Sequence, residues 1–381
     1  MISATEFVFW LSVAAVVYLY LGYPATLLLV RARRGAPPRH DGRLPSVTIL
    51  IAAYNEARDI GATLTNKLDL DYPRERLQIV VVSDGSTDGT DEIVSGYASR
   101  GVSLIRQEPR QGKTAALNLG RTVATGELVV FSDANSRYDR QALRHLVDAF
   151  EDPEVGYATG LLMYLNPGES PSGASCGLYM RYENWVRRLE TRVGSIVGVN
   201  GGIDAVRRRL FEPMRPDHLP DFVLPLRVVE QGFRVVFCPA AVSYEEALPD
   251  ARDEFGMRVR VSLRSLRTLC EMRHLLSPAG GFYAFQLWAH KGLRYLVFVP
   301  LIAALVANLM LAGRGHYLLL LALQVAFYGA AAVGLAAQGR PWAKALGIPA
   351  FFVIANAAAA VAVARFLRGD RQTLWQPRKG A

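Results

Sequence analysis

Residues Val129 to Tyr138 read VVFSDANSRY: an unbroken apolar run that closes on Ser132 and Asp133 and then gives way to small and polar residues. A short apolar run without alternation, bounded by turn residues, marks a strand buried on both faces, as a parallel sheet requires. The ending is more informative than the run. In open sheets of strand and helix units, ligands collect at the carboxyl ends of the strands, so a carboxylate placed there has a chemical use. Asp133 and Asn135 read either as two oxygen ligands for a hard cation, one charged and one neutral, or as a strand entering a turn.

The same pattern surrounds this stretch. SVTILIAAY (46–54) precedes helix periodicity from Ala57 to Leu68, and LQIVVVS (77–83) precedes a helix expected near Asp88. GVSLIRQ (101–107) leads to a helix at Lys113, and GELVVFSD (126–133) to one over Asp139–Phe150. Strands alternating with helices in this way predict an α/β domain built on a parallel sheet, here from Pro45 to about Val236.

The flanks are different. The chain is 51% hydrophobic with a positive mean hydropathy, and the excess sits in four segments, Phe7–Val30, Leu296–Ala312, Tyr317–Ala337 and Leu346–Leu367. Each is close to the ~20 residues that cross a bilayer core. The first carries Glu6 and no leading base or small-residue cleavage signal, which reads as a retained anchor and not a signal peptide. Arg31, Arg33, Arg34, Arg39 and Arg43 follow it, and the positive-inside rule places the polar middle of the chain in the cytoplasm of an inner-membrane protein. The expected parts are an anchor and basic linker (1–44), a cytoplasmic catalytic domain (45–250), interfacial helices (251–295) and a transmembrane region with a basic tail (296–381). Three crossings after the middle would put that tail outside, against the preference of its basic residues.

Cys176, Cys238 and Cys270 have neither disulfide nor zinc spacing. The net charge of +9 lies beside hydrophobic segments, which suits lipid and phosphate and not nucleic acid. A transporter would show charges inside its spans, and these show almost none.

Four further stretches carry polar residues where strands end. SDGSTDGTDEI fails as a calcium loop, because the twelfth position from Asp84 is Ser95; Asp84 closes a buried strand, while Asp88 reads as a helix cap. RQGKTAALNLG opens a helix with Lys113, a charge that the helix dipole disfavours unless an anion is to sit there. VNGGIDAVRRRLFEP sets Asn200 and Gly201 before a basic run, and glycine pairs let backbone approach a ligand. PDFVLPLRVVEQGFRVVFCP puts Asp221 at a helix start, where an acid reads first as a cap.

In this order, these stretches together with TILIAAYNEA resemble the membrane-embedded branch of family 2 glycosyltransferases, which includes exopolysaccharide, cellulose-type and hyaluronan-type synthases. The resemblance covers about 230 residues and implies a GT-A fold, a nucleotide-diphosphate sugar donor such as a UDP-sugar, Mg2+ or Mn2+, and inversion at the anomeric carbon. It implies that Ala53, Tyr54, Glu56 and Asp84 line the nucleotide pocket, that Lys113 holds phosphate, and that Asp133 and Asn135 hold the metal. Asn200 and Gly201 would approach the substrate, and Asp221, preceded by Pro220 and not by the usual second acid, would be the catalytic base. The Gln-x-x-Arg-Trp motif of processive synthases is replaced by MRVRVSLRSL, where Arg258 and Arg260 remain as candidates either for binding phosphate or for lying against the membrane surface. The partners implied are the donor, a lipid-linked or polysaccharide acceptor, membrane lipid, and export or co-synthase subunits. The competing reading is a scaffold that binds nucleotide-sugar without turnover.

Overall fold

A computed structural model of the chain describes residues 2–33, 44–165, 171–246, 251–337 and 340–371. Two units emerge among the described residues, one within 32–165 and 190–246, the other within 1–31, 166–189 and 247–370. Cys176 and most of the basic residues of the linker and tail lie outside the described side chains.

In the first unit the four apolar runs all form strands: β1 (Val47–Ala53), β2 (Leu77–Ser83), β3 (Val102–Arg106) and β4 (Leu128–Asp133). β5 (Arg137–Tyr138), β6 (Val155–Tyr164), β7 (Asp204–Arg207) and β8 (Arg234–Glu245) complete one eight-stranded sheet in the order β3-β2-β1-β4-β7-β6-β8-β5. Every residue of β1 is buried, as an interior strand covered on both faces must be. Ile49, Ile51, Ile79, Val81 and Val130 pack with Ile60, Leu64 and Leu146 of the covering helices into one core.

The sheet departs from the parallel expectation at β7, which runs antiparallel to both β4 and β6, and at β5, antiparallel to β8. The reason is where the chain re-enters. It leaves this unit after Leu165, close behind the end of β6, returns at Glu190, and reaches β7 through Gly201 and Gly202, whose φ values of 73° and 77° make a turn that side chains resist. Ile203 O accepts from Gly160 N at 2.8 Å, so the chain joins β6 at its middle and β7 runs back from there toward the start of β6.

The helices begin later than their periodicity suggests. The one expected from Ala57 starts at Ile60, because Asn55 takes φ 53° and residues 54–59 form a turn. The one expected near Asp88 is only Thr90–Ser95, capped by Gly89, while Asp88 accepts from Thr90 N and Ala57 N. Lys113–Val123 starts where expected, and Asp139–Phe150 shortens to Ala142–Asp148 with a closing 3-10 turn.

The second unit is helical. Three of its helices, Ala4–Leu29, His316–Ala336 and Gly347–Leu367, are long and apolar enough to cross a membrane. A fourth candidate, Pro278–Leu296 with Phe298–Leu311, is bent by 54° at its break. Leu318, Leu319 and Leu323 are each at least 60% exposed, which water penalises and a bilayer does not. His290 and Arg294, whose charge suggests an interfacial helix, turn inward onto the buried carboxylate of Glu183, His290 at 2.9 Å. Charges in apolar surroundings pair with one another, and this cluster ties helix Pro171–Val193 to the broken segment.

Candidate active site

The parallel register sets the site. Ala53 pairs with Ser83 and Ala52 with Asp133, so β1, β2 and β4 end at one level and present residues 53–56, 84–86 and 133–135 along a single edge. The loops after β1 and β2 are tied together: Asn55 N donates to Ser86 Oγ, Thr87 N to Asn55 Oδ1, and Glu56 N to Thr90 Oγ1.

Asp84 is 2% exposed, and its carboxylate accepts from Gln107 Nε2 (2.6 Å), Gln111 N (2.8 Å) and Gly112 N (2.8 Å). Three of about four acceptor positions on a carboxylate are thus taken by the chain itself. What this buys is the shape of the turn that delivers Lys113. In the same turn the Arg110 guanidinium lies over the Tyr54 ring, 3.5 Å from its centroid, joining the first and third loops by a cation-π contact that sequence spacing does not reveal.

Lys113 opens its helix behind Gly112 and places Nζ 2.5 Å from Asp133 Oδ1. Burial pulls its pKa down, but the charges of Asp133 and Asp221 outweigh that and hold it above the usual lysine range. The ammonium therefore stays charged. Asp133 keeps a third of its side chain exposed. Among the described residues no group of three or more His, Cys, Asp or Glu is placed to hold a metal. One carboxylate and the carbonyl oxygen of half-buried Asn135 fit a Mg2+-like or Mn2+-like ion that draws most of its ligands from diphosphate and water, and do not fit a closed protein cage.

Asn200 and Gly201 stand on the other side. Asn200 Nδ2 donates to Gly160 O at 3.2 Å, and a Cβ on Gly201 would come within 2.9 Å of Asp221 Oδ2. Gly201 is thus the bed on which the Asp221 carboxylate rests. Asp221 is the second residue of helix Pro220–Glu230, whose cap position is Leu219, so it is not the cap that its sequence position suggests. Arg258 and Arg260 belong to helix Ala251–Glu271 in the other unit, where Arg258 bonds Glu254 at 2.9 Å and covers the Phe351 ring at 4.2 Å.

Several residues of this edge escape sequence reasoning: Lys67, Glu245 and Asp204, all fully or almost fully buried. Asp204 pairs across β4 with Phe131 and across β6 with Thr159, and neither of its oxygens has a hydrogen-bond partner among the described residues. Burial first, and then the charge of Asp221, push its pKa up from 3.8 to about 8. A carboxyl that holds its proton more tightly when folded stabilises the fold fully below 3.8, and that stability is lost as pH rises toward 8. Asp204→Asn is expected to flatten this decline, seen as a melting temperature that no longer falls between those pH values; an unchanged slope would contradict the assignment.

Residues 48–212 match the family model described as glycosyl transferase family 2. The chain is 28% identical over 186 residues, 46% of its length and 40% of the relative's, to beta-monoglucosyldiacylglycerol synthase of Nostoc sp. strain PCC 7120. It is 29% identical over 160 residues, 42% of its length and 38% of the relative's, to poly-beta-1,6-N-acetyl-D-glucosamine synthase of Staphylococcus aureus strain COL. It spans about half the length, or less, of the curated relatives that it matches. The solved structure of mannosyltransferase PcManGT from Pyrobaculum calidifontis, in complex with GDP-Man and Mn2+, superposes with a TM-score of 0.75 at 24% identity, covering 96% of this chain and 99% of that one, a likeness of fold. The matched range, residues 48–212, runs from β1 to just past β7, and over those residues the chain carries a glycosyl transferase family 2 domain with the GT-A fold.

Proposed function

We propose that this chain is an integral-membrane glycosyltransferase that moves a sugar, with inversion, from a nucleotide-diphosphate sugar to a lipid-linked or polysaccharide acceptor at the cytoplasmic face of the inner membrane. The observation that carries the reading is the Lys113–Asp133 ion pair at the end of β4, with the Asp221 carboxylate, seated on Gly201, close enough for its charge to act on the same ammonium. In this reading Tyr54, Glu56 and Ala53 border the nucleotide, and Asp84, also ion-paired at 3.7 Å with Arg110 Nε, meets the base or ribose. Lys113 leaves Asp133 to meet the donor's phosphates. Asp133 and Asn135 would hold a divalent cation, which when bound offsets the negative charge that develops on the departing diphosphate. Asp221 takes the proton of the acceptor hydroxyl as the oxygen bonds to the anomeric carbon. The bond from that carbon to the phosphate oxygen breaks, and its electron pair leaves with the nucleoside diphosphate.

The donor is expected to be a UDP-sugar. The mannosyltransferase of like fold is complexed with GDP-Man, so GDP-sugars belong in the same panel. Full-length protein with Mn2+ should release nucleoside diphosphate from one donor when a membrane lipid extract supplies the acceptor. No release from any donor, in the presence of metal-dependent nucleotide binding, would favour the scaffold reading, which has no use for a carboxylate seated on Gly201.

The bent segment bears on topology. At about 1.5 Å per residue, helix Phe298–Leu311 rises only about 21 Å, short of a ~30 Å hydrocarbon core. If it turns back, two crossings follow the catalytic domain and the tail, with Arg365, Arg368, Arg371, Arg378 and Lys379, returns to the cytoplasm as its charge prefers. A cysteine placed in the tail should then react with an impermeant maleimide only after the cells are opened; labelling of intact cells would reverse this topology.

A further inference from the structure

Lys67 is fully buried, with no exposed surface, on the inward face of helix Ile60–Leu68. Its Nζ donates to Ser136 O at 2.6 Å and to Asn66 Oδ1 at 3.2 Å, and sits 3.4 Å from the centroid of the Tyr138 ring. Nothing in the fold of a helix demands an ammonium there; a leucine or methionine would fill the space without the desolvation that a buried charge costs. What the ammonium touches explains it. Ser136 is the residue directly after Asn135, and its N–H donates to Asp133 O at 3.2 Å. Its hydroxyl donates a short hydrogen bond to the buried Glu245 at the end of β8.

The same knot reaches the other side of the cleft. The Tyr138 hydroxyl lies 2.9 Å from both Phe131 O on β4 and Gly202 O in the turn beside Asp221. A Cβ on Gly202 would stand 2.6 Å from Glu245 Oε1 and 3.1 Å from Ser136 Oγ, so that turn is packed directly on the Ser136–Glu245 pair. Asn66 holds Tyr138 at both ends of its peptide unit, giving Nδ2 to Tyr138 O at 2.9 Å and taking Tyr138 N at 2.7 Å. Burial pulls the Lys67 pKa down, and the charges of Glu245 and Asp133 oppose it. The two carboxylates whose charges act on the ammonium are thus one in the brace and one in the site.

Resting on the transferase reading above, we propose that Lys67 is a positioning residue: from beneath the Asp133–Ser136 loop it fixes, through Ser136 and Tyr138, the distance between the cation-binding carboxylate and the Gly201–Gly202 turn that seats Asp221. Transfer needs both sides at once, whereas nucleotide held by the 53–56 and 84–113 loops needs neither. A displacement of about 1 Å between reacting groups costs on the order of a hundredfold in rate.

The test uses full-length protein in nanodiscs with the variants Lys67→Met and Tyr138→Phe, the latter keeping ring and volume in case the former does not fold. Calorimetric binding of UDP and GDP is measured with and without Mn2+, alongside turnover. Both variants are expected to bind nucleotide without metal as wild type does, and thereby to report a folded pocket. Lys67→Met is expected to lose the tighter binding that Mn2+ confers, and kcat should fall about a hundredfold with KM for the donor changing far less. Tyr138→Phe, which leaves the lysine in place, should keep the Mn2+ effect and lose about tenfold in kcat. Folded variants with wild-type kcat and a wild-type Mn2+ effect would overturn the inference. A wild-type protein that binds nucleotide with Mn2+ but turns over no donor would overturn the transferase reading instead, and the Mn2+ effect in Lys67→Met would still decide for or against the brace.

Discussion

Asp221→Asn is expected to lower sugar transfer by about 10²- to 10⁴-fold, the range that a positioned general base supplies. Asparagine keeps the shape of aspartate, so the close seat on Gly201 survives, and helix Pro220–Glu230 begins from Leu219 and Pro220 regardless of this side chain. Folding and nucleotide binding should therefore be left within about threefold of wild type, which makes the loss one of kcat alone. Had Asp221 been the helix cap, asparagine would serve equally well and turnover would hardly change. A variant with wild-type kcat would return Asp221 to a structural role and remove the base from the proposal.

Asp133→Ala is expected to abolish transfer, a loss of about a thousandfold or more, while Asn135→Ala lowers it only about tenfold. The difference follows from charge. Asp133 brings the single carboxylate that the β4 end offers to a cation, and it also holds Lys113 in place at 2.5 Å. Asn135 contributes a neutral oxygen that water can replace. With so little protein charge at the site, Mn2+ should bind weakly by itself and much more tightly when nucleotide supplies its phosphates, a coupling that calorimetry in either order of addition measures. Equal and mild effects of the two substitutions would contradict the one-carboxylate arrangement.

The reach of sequence reasoning differs sharply across this molecule. The ends of β1, β2 and β4 were legible because burial on both faces forces an apolar run, and the first residue to break the run is the one at the ligand edge. The direction of β7 was not, since four residues carry no periodicity and the reversal depends on where the chain re-enters the sheet. Asp84 was legible as a strand-end acid, but not that Gln107, Gln111 and Gly112 would claim most of its carboxylate. Lys67 and Glu245 were invisible for a common reason: in sequence, a lysine on an amphipathic helix or a glutamate at a strand end looks solvated. Only the tertiary fold shows that they face each other's network across Ser136.

The interleaving of the two units has a consequence for biosynthesis. When β6 has been translated, its neighbours β7 and β8 do not yet exist, and β4 also waits for β7. At 5–20 residues per second, the roughly eighty residues from Tyr164 to Glu245 take about 4–16 s to emerge. For that interval the nascent chain shows one unpaired strand, β6, and the open edge of β4, which already pairs with β1, the condition in which sheets find wrong partners. The seat of Asp221 and the brace around Ser136 are assembled last, so the ribosome delivers a nucleotide pocket first and a working cleft only once β8 has closed the sheet.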